Sequence, residues 1–305
     1  MITTPTVFIL GAGASHDYGF PLGYELYKIA CAQLQSNKNG WKNLRSLGFL
    51  EEEISDFSLK LYLSELESID TFVNYNTKYE RIGKAITASI LMAYENEGKL
   101  INKEIDSWYR YLWNKMRTDT LSQFAENHVA FITFNYDRSL EHYLFIVLKY
   151  TFSRENEEII EVLNKIPIIH VYGQLGNLPW QDENGRTYSS PNQSQMTEEI
   201  RKCMSMIELV YGSREVSPKF REAIELLQWA ERGYFLGFGY DDINLRNLNI
   251  TGYDESVIGN SFKLSGTRIG LSDKEIEIIN KKYRMRIEEM ESRSIYNYLK
   301  EEVEL

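Results

Sequence analysis

The chain has 305 residues, of which 43% are hydrophobic and 26% are charged, and its formal net charge is -10. This composition is typical of a globular protein with a sizeable core, and it excludes a disordered chain. The acidic balance argues against direct nucleic-acid binding, and no run approaches the roughly 18 apolar residues that a membrane span needs. Two cysteines, Cys31 and Cys203, are too few for a four-cysteine zinc site, so we expect reduced thiols, no metal and a cytoplasmic protein.

The first predicted element is a buried strand at Thr6–Leu10, which leads into the sequence GAGAS at residues 11–15. Glycines in such a turn let the backbone approach a ligand, and free backbone N–H groups there can bind a pyrophosphate. The strict dinucleotide fingerprint would place a third glycine where His16 stands, and the phosphate-binding lysine of a Walker loop is absent. The turn therefore indicates either a nucleotide-binding loop or a purely structural turn.

A helical insertion is predicted at about 36–127, beginning near the SNKNG stretch at Ser36–Gly40. The aromatic segment Asp106–Met116 is predicted either to pack inside this lobe or to form a contact face for another protein. Two apolar stripes with helical spacing support the insertion, namely Ile82, Ile86 and Ile90, and Ile105, Trp108, Leu112 and Met116.

A second buried strand is predicted at Val129–Phe134, directly before Asn135 and Asp137. If the strand continued, these two side chains would point to the same side and could form part of a site. The alternative is that they cap the helix that begins near Arg138.

The third predicted strand, Ile166–Ile169, ends at His170. Histidine exchanges protons near neutral pH, so this residue is a candidate acid or base, although a histidine at a strand end is also a common structural residue. The segment Gln174–Pro191 is rich in Gly, Asn, Pro and Ser and is predicted to be a loop over the sheet edge.

A fourth strand is predicted at Tyr234–Phe238, where Gly237 and Gly239 again permit close backbone approach. Short strands that are apolar on both faces and separated by helices predict an α/β fold with a Rossmann-like parallel sheet. The tail is predicted to form two helices, the first capped by Ser272 with Glu275 three residues later. We expect one domain over 1–305, with a core at about 1–35 and 128–271, the insertion at about 36–127 and a helical tail at about 272–305.

These motifs, taken in chain order, resemble those of the sirtuin family. In this chain GAGAS runs into GFP at Gly19–Pro21, and Asn135-Tyr136-Asp137 matches the family's Asn-x-Asp motif. His170 precedes Gly173, and GFGYDD resembles a late Gly-x-Ser-like strand. The chain departs from protein-deacylating sirtuins in lacking their four-cysteine zinc module.

Two further segments look like parts of divergent bacterial sirtuin-like domains, which degrade NAD+ in antiphage defence systems. They are SELESIDTF at Ser64–Phe72 and LSGTRIGLSDKEIEII at Leu264–Ile279. The resemblance implies an NAD+ glycohydrolase that releases nicotinamide and ADP-ribose, with NAD+ as substrate and without a metal. Whether the product is linear or cyclic ADP-ribose stays open.

The resemblance also implies roles for individual residues. Asn135 would position the ribose and the attacking water, and Asp137 would hold the nicotinamide end or orient Asn135. His170 would act as a general base. The dinucleotide would be bound by Gly11, Ala12, Gly13 and Ser15 at the pyrophosphate and by Gly237 and Gly239 at the adenosine side.

Two other functions stay open at this point. The domain could bind NAD+ or ADP-ribose as a sensor or regulatory subunit without turnover, or it could be a deacylase without zinc. An enzyme that destroys a central cofactor must be silent until it is needed. We therefore expect control through homo-oligomerisation or a separately encoded partner such as a motor ATPase.

Overall fold

The computed structural model describes residues 1–35, 39–209, 217–250, 263–283, 286–287 and 294–305. The strands of the described residues are β1 (Thr6–Leu10), β2 (Val129–Thr133), β3 (Ile168–His170), β4 (Arg232–Leu236), β5 (Lys263–Gly266) and β6 (Arg286–Ile287). They form one sheet in the order β3-β2-β1-β4-β5-β6, and every neighbouring pair is parallel. This is the Rossmann strand order, so the predicted α/β fold with a Rossmann-like parallel sheet is confirmed.

The centre of the sheet is β1, which pairs with β2 on one edge and β4 on the other. Thr6 is in register with Val129 and with Arg232, and all five residues of β1 are buried. The ring of Phe8 stacks on that of Phe131 with 5.5 Å between the ring centroids. A strand buried on both faces needs apolar side chains at successive positions, which is why TVFIL has no polar alternation.

Helices cover the sheet and form the insertion between β1 and β2. Within the described residues they are α1 (Gly13–His16), α2 (Gly23–Gln35), α3 (Asn39–Ser46), α4 (Glu51–Leu63), α5 (Ile69–Tyr75), α6 (Glu80–Leu91), α7 (Glu97–Leu100), α8 (Trp108–Met116), α9 (Leu121–Phe124), α10 (Ser139–Phe152), α11 (Asn156–Leu163), α12 (Met196–Met206), α13 (Pro218–Trp229), α14 (Asp242–Asn247), α15 (Asp273–Tyr283) and α16 (Ile295–Glu301). No helix among these is long and apolar enough to cross a membrane.

Side-chain caps fix several helix starts. Ser68 accepts a hydrogen bond from the backbone N–H of Thr71 at the start of α5, and Ser107 does the same for Arg110 at the start of α8. Each cap satisfies a backbone N–H group that has no partner inside its own helix. The capping box predicted for Ser272 and Glu275 is present at the start of α15.

The apolar stripes of the insertion are packing faces. Ile82, Ile86 and Ile90 are buried on α6. On α8 the side chains of Trp108, Tyr109, Leu112, Trp113 and Met116 are buried, as the packing alternative predicts. Burial of these side chains favours the packing alternative, and a contact face on this segment stays a prediction. Ile105 lies before the first residue of this helix.

A buried charge network joins the insertion to the sheet. Glu95, in the insertion, accepts hydrogen bonds from Arg138, which lies between β2 and α10, at 2.9 Å for both Nε and Nη2. It also accepts one from Nη1 of Arg186, in the loop after β3, at 2.6 Å. All three side chains are almost completely buried. The loop at Gln174–Pro191 contains neither helix nor strand, as predicted.

Some boundaries differ from the predictions. Strand β4 begins at Arg232 and ends at Leu236, two residues before the predicted bounds, and β3 includes His170. The sequence did not predict β5 or β6, and β6 lies between α15 and α16 in the tail that was predicted to be only helical. The start of the insertion at Ser36–Gly40 falls partly outside the described residues.

Candidate active site

The carboxyl ends of β1 and β4 lie side by side where the strand order reverses. The chain runs from β1 to β2 and β3 on one side of the sheet and then crosses to β4, β5 and β6 on the other. In open parallel sheets, the loops that follow the two strands at such a point diverge and leave a crevice where ligands bind. The loops after β1 and β4 are therefore the expected ligand-binding elements.

The glycines of these two loops pack directly against each other. The N–H of Gly13 donates to the carbonyl of Gly237 at 2.9 Å, and the N–H of Gly11 donates to that of Leu236 at 3.0 Å. A Cβ atom on Gly13 would lie 2.8 Å from the Cα of Gly237, and Gly237 itself has φ +58°. Both positions thus need glycine. Because these N–H groups already bind the chain's own carbonyls, a pyrophosphate would have to be bound by other groups of the turn.

The other predicted residues of the two loops differ in accessibility. Ala12 is partly buried and lines a cavity of about 120 Å³ beside the turn, together with the buried Ser15. Gly239 is exposed, and no described atom lies within 4 Å of the position that its Cβ would take. Ala12 and Ser15 therefore face the cavity, while Gly239 lies at the surface.

Asn135 follows β2 and is buried with its amide group fixed by two hydrogen bonds. Its Nδ2 donates to the carbonyl of Gly11 at 2.8 Å and to Oγ of Ser15 at 3.1 Å. Because a carbonyl can only accept, the contact with Gly11 distinguishes the amide nitrogen from the amide oxygen. Asn135 also lines the 120 Å³ cavity. Its Oδ1 is therefore the amide atom available to accept a hydrogen bond from a ligand hydroxyl.

Asp137 is buried and lines the same cavity. Its Oδ1 accepts from the backbone N–H of Ser139 at 3.1 Å and from the Ser139 hydroxyl. Asp137 thus binds the first N–H of α10 from the residue before the N-cap, Arg138, so the capping alternative is met only in part. Burial raises the pKa of the Asp137 carboxyl, and hydrogen bonds from Ser139 and Ser15 act in the opposite direction. The residue both starts a helix and contributes a carboxyl group to the cavity.

Asp70, in the first turn of α5, is a cavity residue that the sequence analysis missed. The hydroxyl of Tyr136 donates to its Oδ1 at 3.1 Å. Burial raises the pKa of Asp70 from 3.8 to about 6, against the opposite effect of the Tyr136 hydrogen bond. A carboxyl group that titrates near neutral pH can take up or release a proton in a reaction. The sirtuin-like segment SELESIDTF contains this residue, but the segment alone does not show which side chain reaches the cavity.

His170 contacts Asn135 but is not among the residues that line the 120 Å³ cavity. Its Nδ1 donates to the backbone carbonyl of Asn135 at 3.0 Å, and its Nε2 lies 3.0 Å from Oε1 of Glu141. Burial alone would lower the pKa of His170, but the Glu141 carboxylate and the two hydrogen bonds outweigh it and raise the pKa. With both nitrogens engaged, His170 positions the backbone of Asn135 and has no free nitrogen for a ribose hydroxyl in this conformation.

Helix α8 of the helical insertion contacts two segments of the site. Nε1 of Trp108 donates to the carbonyl of Ala14 at 2.8 Å, directly after the glycine-rich turn. The hydroxyl of Tyr109 lies 2.7 Å from Oγ of Ser139, and its ring stacks on Tyr18 with 4.1 Å between centroids. Helix α8 therefore fixes both the turn after β1 and the start of α10, which carry the cavity residues.

The described residues contain no group of three or more His, Cys, Asp or Glu side chains that could hold a metal ion. The chain matches no protein-family model and no curated protein. The resemblance to the sirtuin family thus depends on the sequence motifs, and function has to be argued from the chemistry of the site.

Proposed function

We propose that the protein hydrolyses the bond between nicotinamide and ribose in NAD+. The observation that carries this proposal is an amide acceptor together with two carboxyl groups, one buried and one partly buried, in one small cavity where the strand order reverses. Asn135 offers Oδ1, and Asp137 and Asp70 line the same cavity. Glycosidic bonds break through an oxocarbenium-like state, which nearby carboxylates stabilise.

In this proposal each cavity residue has a distinct role. Oδ1 of Asn135 accepts a hydrogen bond from a ribose hydroxyl and so orients the sugar. Asp137 stabilises the positive charge that develops on the ribose as nicotinamide leaves. Asp70, with a pKa of about 6, takes a proton from the water that attacks the ribose carbon. His170 positions Asn135, and its sequence-based role as general base stays a prediction that requires the contact with Glu141 to open.

The size of the cavity limits what can enter it. About 120 Å³ accommodates one ring and not a dinucleotide, so only the nicotinamide end of NAD+ would be enclosed. The pyrophosphate would lie over the turn that contains Ala12 and Ser15, and the adenosine would extend towards the surface near Gly239. Of the sequence-predicted binding residues, this placement uses Ala12, Ser15 and Gly239, while the N–H groups of Gly11 and Gly13 stay bound to the chain's own carbonyls.

The test is to incubate the purified protein with NAD+ and follow nicotinamide by chromatography. We expect release by the unsubstituted protein and a roughly 10² to 10⁴-fold lower rate for Asn135→Ala and for Asp70→Asn, since each removes a group that acts on the ribose or the water. Asn184→Ala is the matched control, because Asn184 is exposed and remote from the cavity. Unchanged rates in both site variants would refute the assignment.

The alternative is an NAD+ or ADP-ribose sensor without turnover. One observation favours it: both nitrogens of His170 and both hydrogens of the Asn135 amide are engaged within the protein. Tight NAD+ binding with no nicotinamide release, with or without the products of neighbouring genes, would identify this function. Turnover of an acylated peptide coupled to NAD+ loss would instead indicate a deacylase.

We propose a bacterial antiphage role from the sequence resemblance, with depletion of cellular NAD+ as its output. Control would then come from self-assembly or from a separately encoded ATPase. Helix α4 exposes Leu59 together with Tyr62 and Leu63, which follow it by three and four residues and so lie on the same face. This exposed apolar face supports an assembly surface. Light scattering of Leu63→Lys against the unsubstituted protein tests this, and a monomer in both samples would contradict it.

A further inference from the structure

A second cavity, of about 230 Å³, lies beside the proposed site and is separate from it. Its lining includes Glu141, His170, Gln174 and Trp180, and none of these residues lines the 120 Å³ cavity. His170 joins the two regions, because its ring faces Glu141 while its Nδ1 binds the Asn135 carbonyl. The proposed reaction makes no use of this second cavity.

Two buried polar atoms of this cavity lack partners among the described residues. They are Oε2 of Glu141 and Nε1 of Trp180. The Glu141 side chain is only 3% exposed, and its other oxygen is bound by His170. Most buried polar groups in native proteins form hydrogen bonds, so an acceptor and a donor left open on one cavity indicate a missing ligand.

The orientation of the donor is fixed in advance. The ring of Trp180 is stacked on that of Phe145, with 5.3 Å between the centroids and 3° between the planes. Trp180 also lines a larger cleft of about 940 Å³, together with Phe145 and His142. Trp180 therefore borders both the 230 Å³ cavity and this cleft, and packing against Phe145 sets the direction of its indole N–H.

The pair of open atoms defines the chemistry of the ligand. Oε2 of Glu141 needs a hydrogen-bond donor, and Nε1 of Trp180 needs an acceptor. Since His170 lies against the Glu141 carboxylate, the negative charge of this carboxylate is already compensated. The cavity therefore gives no reason to bind a charged ligand. A volume of about 230 Å³ is below the roughly 300–1,000 Å³ typical of pockets for drug-sized ligands, so a single ring fits.

We propose that this cavity binds a small neutral ring compound that carries an N–H donor next to a carbonyl acceptor. Nicotinamide offers this pair in its carboxamide and uracil offers it in its ring. The choice of nicotinamide rests on the proposed function, because that reaction would release nicotinamide. The donor–acceptor chemistry of the ligand is independent of the proposed function. Binding is measured without NAD+, so the proposal can fail independently of the hydrolase.

The test is a titration of the full chain with nicotinamide, uracil and nicotinate, followed by ligand-observed NMR. A ligand of this size is expected to bind with a dissociation constant of up to about 10 mM. Nicotinate, which replaces the carboxamide by a carboxylate, is expected to bind about tenfold more weakly beside Glu141. Whichever of nicotinamide and uracil binds more tightly identifies the source of the donor–acceptor pair.

Three variants locate the binding. Trp180→Phe retains the stacked ring and removes the N–H, so affinity should fall about fivefold. Glu141→Gln retains the size of the side chain and should also weaken binding. Trp229→Phe, at an exposed position on α13, is the matched control and should bind as the unsubstituted protein does. Asn135→Ala should bind the ring compound normally, because Asn135 lines the other cavity.

Any of three outcomes overturns the proposal. Unchanged affinity in both Trp180→Phe and Glu141→Gln would place the ligand elsewhere. Absence of binding by nicotinamide and uracil alike would mean that the cavity holds only water. Loss of binding in Asn135→Ala, with the other two variants unaffected, would assign the ligand to the proposed active site instead.

Discussion

Replacing Asp70 by asparagine should make the protein more stable at neutral pH. Burial raises the pKa of this carboxyl from 3.8 to about 6, while Tyr136 donates a hydrogen bond to its Oδ1 at 3.1 Å. The fold therefore favours the protonated form, and the ionised form destabilises it. Asparagine keeps an oxygen that can accept from Tyr136 and carries no charge to bury.

The magnitude follows from the shift in pKa. Below pH 3.8 the carboxyl is protonated in both the folded and the unfolded chain, and its ionisation does not affect stability. As pH rises from 3.8 towards about 6, the unfolded chain ionises first, and by pH 7 the folded state has lost about 3 kcal/mol. For a chain of this length, about 3 kcal/mol corresponds to a melting temperature about 5 °C higher in Asp70→Asn.

The assay is thermal unfolding of Asp70→Asn and the unsubstituted protein between pH 5 and pH 8, with Asp119→Asn as an exposed control. The difference in melting temperature should widen as pH rises and should be absent in the control. Equal or lower stability of Asp70→Asn, or a difference independent of pH, would refute the reasoning. The same variant should release less nicotinamide, so stability and activity would change in opposite directions.

Three further substitutions test other parts of the structure. Gly237→Ala should destabilise the fold by at least about 2 kcal/mol in chemical denaturation, because Gly237 has a positive φ and an added Cβ would overlap the backbone of the turn after β1. Gly239→Ala should be neutral in the same assay, and equal effects of the two substitutions would contradict this prediction. Glu95→Gln should lower the free energy of unfolding in denaturant by about 3–5 kcal/mol, because two buried guanidinium groups lose their carboxylate. Glu183→Gln, at an exposed position, should lower it little, and a small effect of both substitutions would mean that the network is not stabilising. His170→Gln should lower the melting temperature more at pH 6 than at pH 9. A histidine with a raised pKa stabilises the fold below pH 6.5 and loses this effect as pH rises. A difference in melting temperature that is the same at both pH values would count against the ion pair with Glu141.

The sheet was largely predictable where its strands are apolar on both faces. TVFIL and VAFIT are buried at every position, so the run of hydrophobic residues alone identifies them. The strands β5 and β6 were missed because KLSG is short and partly polar and β6 has only two residues. Strands of this kind are defined by pairing with a neighbour, and pairing cannot be read from a local pattern.

The candidate site could be located from the sequence only in part. Ser15, Asn135 and Asp137 follow predicted strand ends, and in the structure they line one cavity. The orientation of His170 was not predictable, because it depends on Glu141, a residue of α10 that no motif singles out. The raised pKa of Asp70 likewise depends on burial beside Tyr136, which is distant in sequence. Both properties arise only after the chain has folded.

The central position of β1 has a consequence for synthesis of the chain. This strand is translated before both of its partners, which begin at Val129 and at Arg232. Until they are made, a short, mostly apolar segment with free backbone groups on its edges is exposed to other nascent chains. The helical insertion is translated in that interval, and its Trp108 donates a hydrogen bond to the carbonyl of Ala14, so the insertion can contact the segment after β1 while the rest of the sheet is still being made.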